Sequence, residues 1–191
     1  MKVIGFTGNY RAEANDPRCY LMADSAILYT GRPFFIPDYA RCFVATPSIV
    51  VRTGRLGKAI APKFAHRYWD AMTAGFSLQA VDGDDCRVEG LSRAFDGAAI
   101  VGDWVEQSAI EDPMLVPVSF AVNGEQVACH CLRDMQHGLD DLLAAVSTRC
   151  SIKMGDVMFT GDAGPVHQLA PGDRLTAAVG DKPVLDIKVK L

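Results

Sequence analysis

The stretch PVSFAVNGEQVACHC, residues 117–131, most constrains what this chain can fold into. Val118, Phe120 and Val122 alternate with smaller or polar residues, Asn123-Gly124 follows, and extended character resumes from Gln126. Asn-Gly is the pair that most readily enters the left-handed backbone of a two-residue turn, so the segment predicts an antiparallel β-hairpin. The end of the chain repeats the device. In RLTAAVGDKPVLDIKVKL, Gly180-Asp181 is a tight-turn pair, and Leu185, Ile187, Val189 and Leu191 alternate with Asp186, Lys188 and Lys190. A strand so patterned has one dry face and one charged face. Helical spacing appears twice: from Pro62 to Met72, where Phe64, Tyr68 and Met72 recur, and from Asp134 to Ser147, where Met135, Leu139, Leu142, Leu143 and Val146 recur. Pro62 suits a first helical turn, Gly75 an ending and Asp134 an N-cap. The expectation is a strand-rich α+β fold with two helices packed on the strands.

Composition narrows the classes of function. The 191 residues suffice for one domain over 1–191, and no repeat, low-complexity tract or linker divides them. No window approaches the ~18 uninterrupted apolar residues of a membrane span, and the first residues lack the apolar run of a secretory signal, so a cytoplasmic protein without a membrane partner is expected. A net charge of −4 and scattered Lys and Arg argue against a nucleic-acid partner. Of six cysteines, only Cys129 and Cys131 are close, and alternation would place His130 on the opposite face. The expectation is buried free thiols that pack as small hydrophobes.

Five segments in order, GNYRAE, GRPFFIPD, IVVRTGRLGKAIAPKFAHRYWDAM, FDGAAI and IKMGDVMFTGD, resemble the fumarylacetoacetate hydrolase family along nearly the whole chain. The resemblance implies a mixed β-roll with a few short helices, commonly a homodimer. It also implies chemistry. Family members hold Mg²⁺ or Mn²⁺ through a Glu-x-Glu and a further acid downstream, and the ion chelates a 2-oxo or 1,3-dioxo acid that is hydrolysed, decarboxylated or isomerised. A hard dication wants anionic oxygen ligands and, once held, stabilises a developing enolate.

Placed on this chain, the motif has lost its acids. The Glu-x-Glu positions are Thr46 and Ser48, with Pro47 between them, and the downstream acid falls at Ser77. Neutral hydroxyls compensate a dication poorly in a partly dry pocket, so no metal is expected. The family's base histidine falls at Glu13, its lysine at Arg93, and its TGTP turn becomes TGDA, with Asp162. Arg93 keeps a positive charge but cannot donate a proton as lysine does. Arg11, Arg52 and Arg93 are candidates to line the pocket, Arg52 because it shares the strand face of Thr46 and Ser48. Arginines without a metal could bind a carboxylate. His137 and His167 have no carboxylate or cysteine at nucleophile spacing.

Three readings follow. The chain is a family member whose metal site is degenerate, retained as a ligand-binding or structural homologue, pairing with itself or with an active relative. Alternatively it is a hydrolase, decarboxylase or isomerase of oxo acids, with Mg²⁺ or Mn²⁺ on displaced ligands from Asp82, Asp84, Asp85 or Asp162. The third is metal-free chemistry using Glu13 and the arginines.

Overall fold

A computed structural model of the chain describes residues 1–10, 18–81 and 90–191. Arg11, Glu13, Asp82, Asp84 and Asp85 lie outside the described residues.

Both hairpins form. β9 (Val118–Val122) and β10 (Glu125–His130) pair antiparallel through Asn123 and Gly124, whose φ values are 54° and 86°. β13 (Arg174–Val179) and β14 (Lys182–Lys190) join at Gly180, with a register shift between Ala177 and Ala178. On β14 Leu185, Ile187 and Val189 are buried while Asp186, Lys188 and Lys190 are exposed. Leu191 departs from the expected dry face: it follows the last strand residue and is 86% exposed. Together with β4 (Phe34–Phe35) these strands make a five-stranded sheet ordered β10-β9-β13-β14-β4.

The larger sheet is built on β5 (Cys42–Thr53) and β6 (Trp69–Val81), paired along nearly their whole length. Around them lie β1 (Val3–Phe6), β2 (Cys19–Met22), β3 (Ile27–Tyr29), β7 (Ala99–Val101) and β11 (Val157–Phe159), in the order β2-β1-β11-β5-β6-β7-β3. Short strands β8 (Val105–Glu106) and β12 (His167–Gln168) attach to β6 and β5.

The helix expected from Pro62 to Met72 is corrected. Only α1 (Pro62–Ala65) is helical, and Met72 lies in β6. Three residues recurring every fourth position were outweighed by a longer period-two pattern. Met72, Ala74, Phe76, Leu78 and Ala80 are buried in the main core, and Thr73, Gly75, Ser77 and Gln79 look the other way. The second helix is α2 (Leu139–Arg149), preceded by Gly138 rather than capped by Asp134. Asp134 closes a 3₁₀ turn, its carboxylate accepting the Cys131 amide at 2.8 Å.

The two faces of β5 bury different things. Phe43, Ala45, Ile49 and Val51 enter the main core with Phe76 and Leu78 of β6, against the second sheet and α2. Phe76 meets Phe120 edge-on, centroids 5.8 Å apart. Val50 faces a smaller cluster with Val3, Met22, Ala99, Val101, Val157 and Phe159. Thr46 and Ser48 share that inner face by strand periodicity.

The expectation of buried thiols is also corrected for the cysteines described; Cys86 lies outside the described residues. Cys19 and Cys129 are exposed and Cys42, Cys131 and Cys150 half-buried, all free; their positions at strand and helix ends leave them at the core's rim. No helix among the described residues is long and apolar enough to cross a membrane.

Candidate functional site

Pro47 does not disturb the strand it interrupts. Thr46, Pro47 and Ser48 pair in unbroken register with Ser77, Phe76 and Gly75. The Pro47 carbonyl accepts the Ala163 amide at 2.8 Å, so its edge of the strand faces the 161–163 turn and not β6. The missing N–H therefore costs no bond in the β5–β6 ladder. Thr46 and Ser77 end up directly opposite each other, both nearly fully buried, with Ser48 two residues along on the same face.

Three elements bring partners to these hydroxyls. The loop before β7 supplies Arg93, whose Nη1 donates to Ser77 Oγ at 2.9 Å and whose Nη2 donates to Gln79 Oε1 at 2.7 Å. From β2, Tyr20 places its Oη 2.8 Å from the same Ser77 Oγ, and the Arg93 guanidinium lies 4.8 Å from the centre of the Tyr20 ring. The turn after β11 brings Asp162, whose Oδ2 accepts the Gly8 amide at 3.1 Å, while the Gly161 amide approaches Ser48 Oγ at 3.4 Å.

Tyr20 reaches Ser77 only because the sheet curls. β2 and β6 are separated by β1, β11 and β5, which in a flat sheet would be about 19 Å, far beyond a tyrosine side chain. The roll turns the inner faces of β2 and β6 toward each other. Gly5 then clears the path: it pairs with Tyr20 across β1 and β2, and a Cβ there would lie 2.2 Å from Tyr20 Cζ.

The electrostatics of the cluster are lopsided. Among the described residues no carboxylate forms an ion pair with Arg93. Its charge faces two neutral oxygens and an aromatic ring. Burial pushes the Tyr20 phenol above its ordinary range; the Arg93 charge and the Ser77 hydrogen bond pull it back, Asp162 pushes it up, and burial prevails. A metal ion does not fit this donor set. Three hydroxyls bring no negative charge, and a guanidinium already occupies one of them.

Behind the site a buried staple holds the frame. Asn9, with no exposed surface, donates through Nδ2 to the carbonyls of His137 and Thr160, each at 3.0 Å, and accepts the His137 amide at 2.9 Å. Tyr10 Oη lies 2.9 Å from Thr160 Oγ1, which donates to the Ile49 carbonyl at 2.9 Å. The Asn-Tyr pair thus braces the strand that bears Thr46 and Ser48.

Of the residues marked out in the sequence, the fold gathers Thr46, Ser48, Ser77, Arg93 and Asp162. Arg52 is placed elsewhere: six residues along β5 from Thr46, about 20 Å at strand rise, its guanidinium bonds Asp70 at 2.8 Å and Glu106 at 3.0 Å and lies 5.5 Å from the Trp104 ring centre. Arg11 and Glu13 lie outside the described residues. Tyr20 and Gln79 were not found by sequence reasoning. Gln79 follows Ser77 by two on a strand and was legible once β6 is read as extended; Tyr20 had no local signal. His167, unpartnered by sequence spacing, lies with Nε2 2.9 Å from Asp173 Oδ2, which also accepts the Ala170 amide and belongs to the second sheet's scaffolding.

With this geometry in view, the comparisons with known proteins are specific. Residues 5–190 match the model of the fumarylacetoacetate (FAA) hydrolase C-terminal family. The chain is 24% identical over 181 residues to the mitochondrial oxaloacetate tautomerase FAHD1 of Rattus norvegicus, covering 92% of this chain and 82% of that protein. It is 34% identical over 86 residues to the oxaloacetate tautomerase YcgM of Escherichia coli strain K12, covering 44% of this chain and 39% of that one. Among solved structures, fumarylpyruvate hydrolase from Pseudomonas aeruginosa in complex with Mn²⁺ and pyruvate superposes with a TM-score of 0.88, at 19% identity, over 100% of this chain and 90% of that one. The 5-carboxymethyl-2-hydroxymuconate delta-isomerase of Mycobacterium smegmatis gives 0.86, at 24% identity, over 99% and 78%. Sequence motifs, rolled sheet and family model agree: this chain belongs to the fumarylacetoacetate hydrolase family.

Proposed function

We propose that this chain is a family member whose metal site is degenerate, and that it acts as a metal-independent ligand-binding homologue rather than as a metal-dependent hydrolase, decarboxylase or tautomerase. One observation supports this most directly: Arg93 Nη1 lies 2.9 Å from the hydroxyl of Ser77, the position where the family resemblance expects the third metal-binding acid. A dication beside a fixed guanidinium, with no carboxylate among the described residues paired to that guanidinium, meets repulsion there. The ligand class that suits the site is a small oxo-acid carboxylate, in keeping with relatives named as oxaloacetate tautomerases. A homodimer is the assembly this reading expects, following the family resemblance.

The test is calorimetric titration of Mn²⁺ into the purified chain beside the triple variant Thr46→Glu, Ser48→Glu, Ser77→Asp, with oxaloacetate turnover followed in parallel. The expected result is no saturable Mn²⁺ binding and no Mn²⁺-dependent turnover for the natural chain, with Mn²⁺ binding gained by the triple variant. Saturable Mn²⁺ binding by the natural chain would restore the reading of an active enzyme on displaced ligands such as Asp162.

A further inference from the structure

The same cluster carries a proton count that points to what the ligand must be. A guanidinium only donates, so Ser77 Oγ accepts from Arg93, and the 2.8 Å contact between Ser77 and Tyr20 uses one hydroxyl proton of the two available. The other is left over. Ser77 is 2% exposed, and an unspent proton there would be a buried, unsatisfied donor, costly to leave unmade. The economical arrangement has Ser77 donating to Tyr20 Oη, leaving the proton of the half-buried Tyr20 phenol uncommitted among the described residues. Burial holds that phenol above its ordinary range, so it keeps its proton at neutral pH. Arg93 spends N–H groups on Ser77 and Gln79 out of the five that a guanidinium carries, and has no ion pair among the described residues.

We infer that Tyr20 and Arg93 form a metal-free receptor for a small monocarboxylate, Arg93 supplying its single balancing charge and Tyr20 a neutral hydroxyl donor. This rests on the metal-independent reading above and adds to it a residue, Tyr20, and a charge rule. One guanidinium balances one negative charge, where a divalent ion would balance two. Asp162, on the turn whose Gly161 amide approaches Ser48 Oγ at 3.4 Å, brings a carboxylate to the same cluster and opposes a second anionic group on the ligand. The receptor therefore favours a monoanion such as pyruvate over a compact dianion such as oxalate.

The experiment titrates pyruvate, methyl pyruvate and oxalate into the full chain in EDTA, with a separate Mn²⁺ arm and with the variants Arg93→Met, Arg93→Lys and Tyr20→Phe checked for fold by circular dichroism. Expected are saturable pyruvate binding in EDTA, none by the neutral ester, and oxalate at least threefold weaker than pyruvate. Arg93→Met weakens pyruvate at least tenfold, Arg93→Lys recovers part of that, and Tyr20→Phe weakens it three- to tenfold with its fold intact. Oxalate binding more tightly than pyruvate overturns the charge rule. Pyruvate affinity unchanged in folded Tyr20→Phe removes Tyr20 from the receptor. Absence of pyruvate binding both with and without Mn²⁺ overturns the receptor while leaving the metal-independent reading standing; binding that appears only with Mn²⁺ overturns both.

Discussion

Two arginines, one borne on β5 and one reaching in from the loop before β7, lie on the same face of the long β5–β6 pair, and their surroundings are opposite. Arg52, at one end, is neutralised by Asp70 and Glu106 and covered by Trp104. Arg93, reaching the other end, meets hydroxyl, amide and ring but no carboxylate among the described residues. The first is a finished surface network, in which charges on both sides are only partly withdrawn from water. The second is an unfinished one inside a fold that could have supplied acids and supplies Thr46, Ser48 and Ser77 instead.

The contrast is most severely broken by filling the space that lets Tyr20 in. Gly5→Val puts a branched side chain where even a Cβ would sit 2.2 Å from the Tyr20 ring, and is expected to cost about 2–3 kcal/mol in urea unfolding. Adding Tyr20→Ala should recover most of that loss, because the clash is between these two side chains. No recovery in the double variant would place the strain in the backbone and not at Tyr20.

A smaller effect separates the arginines themselves. Arg52→Met leaves Asp70 and Glu106 unbalanced and is expected to cost up to about 1 kcal/mol, less at high salt, as exposed pairs do. Arg93→Met strands no acid among the described residues, and its lost hydrogen bonds and ring contact are offset by removal of a charge that forms no ion pair among them. Its expected cost is within about 0.5 kcal/mol. If Arg93→Met proves the more damaging of the two, Arg93 is a structural brace.

The smallest effect is a titration. The Tyr20 phenol is held above the ordinary value of about 10. Because the folded value is raised, the stabilisation is complete below about pH 10 and is lost as pH rises through the interval up to the folded value. Ultraviolet titration of the natural chain minus Tyr20→Phe should show one phenol ionising late. In Arg93→Met it should ionise later still, since the cation that favours phenolate is gone. A shift downward would contradict the placement of the guanidinium over the ring.

Much of this was legible in the sequence where the signal is local. Asn123-Gly124 and Gly180 announce their hairpins because a two-residue turn needs its own residues and little else. The family motifs carried the roll and put Thr46, Ser48 and Ser77 at corresponding positions, which the register then set side by side. The stretch from 62 to 72 misled because Phe64, Tyr68 and Met72 imitate a helix, whereas β6 is decided by pairing with β5 along its length. Tyr20 was illegible for a different reason. Its partner lies 57 residues away, and contact requires the curl of the whole sheet and an empty Cβ at Gly5, neither of which is written near Tyr20. Arg52 was set on the right face, but periodicity gives a face and not a distance along it.

β1 pairs in parallel with β11, and Asn9 ties its loop to Thr160, 151 residues onward. Chain synthesis runs from β1 toward β11. At usual translation rates the ribosome needs roughly 8–30 seconds to make the segment that β1 will join, and until then Val3, Ile4 and Phe6, buried in the finished fold, have no partner strand on that side. β1 is made well before the strand it joins, so its apolar residues stay without that partner while the intervening segments are synthesised, and the turn bearing Gly161 and Asp162 cannot reach Ser48 before β11 has emerged.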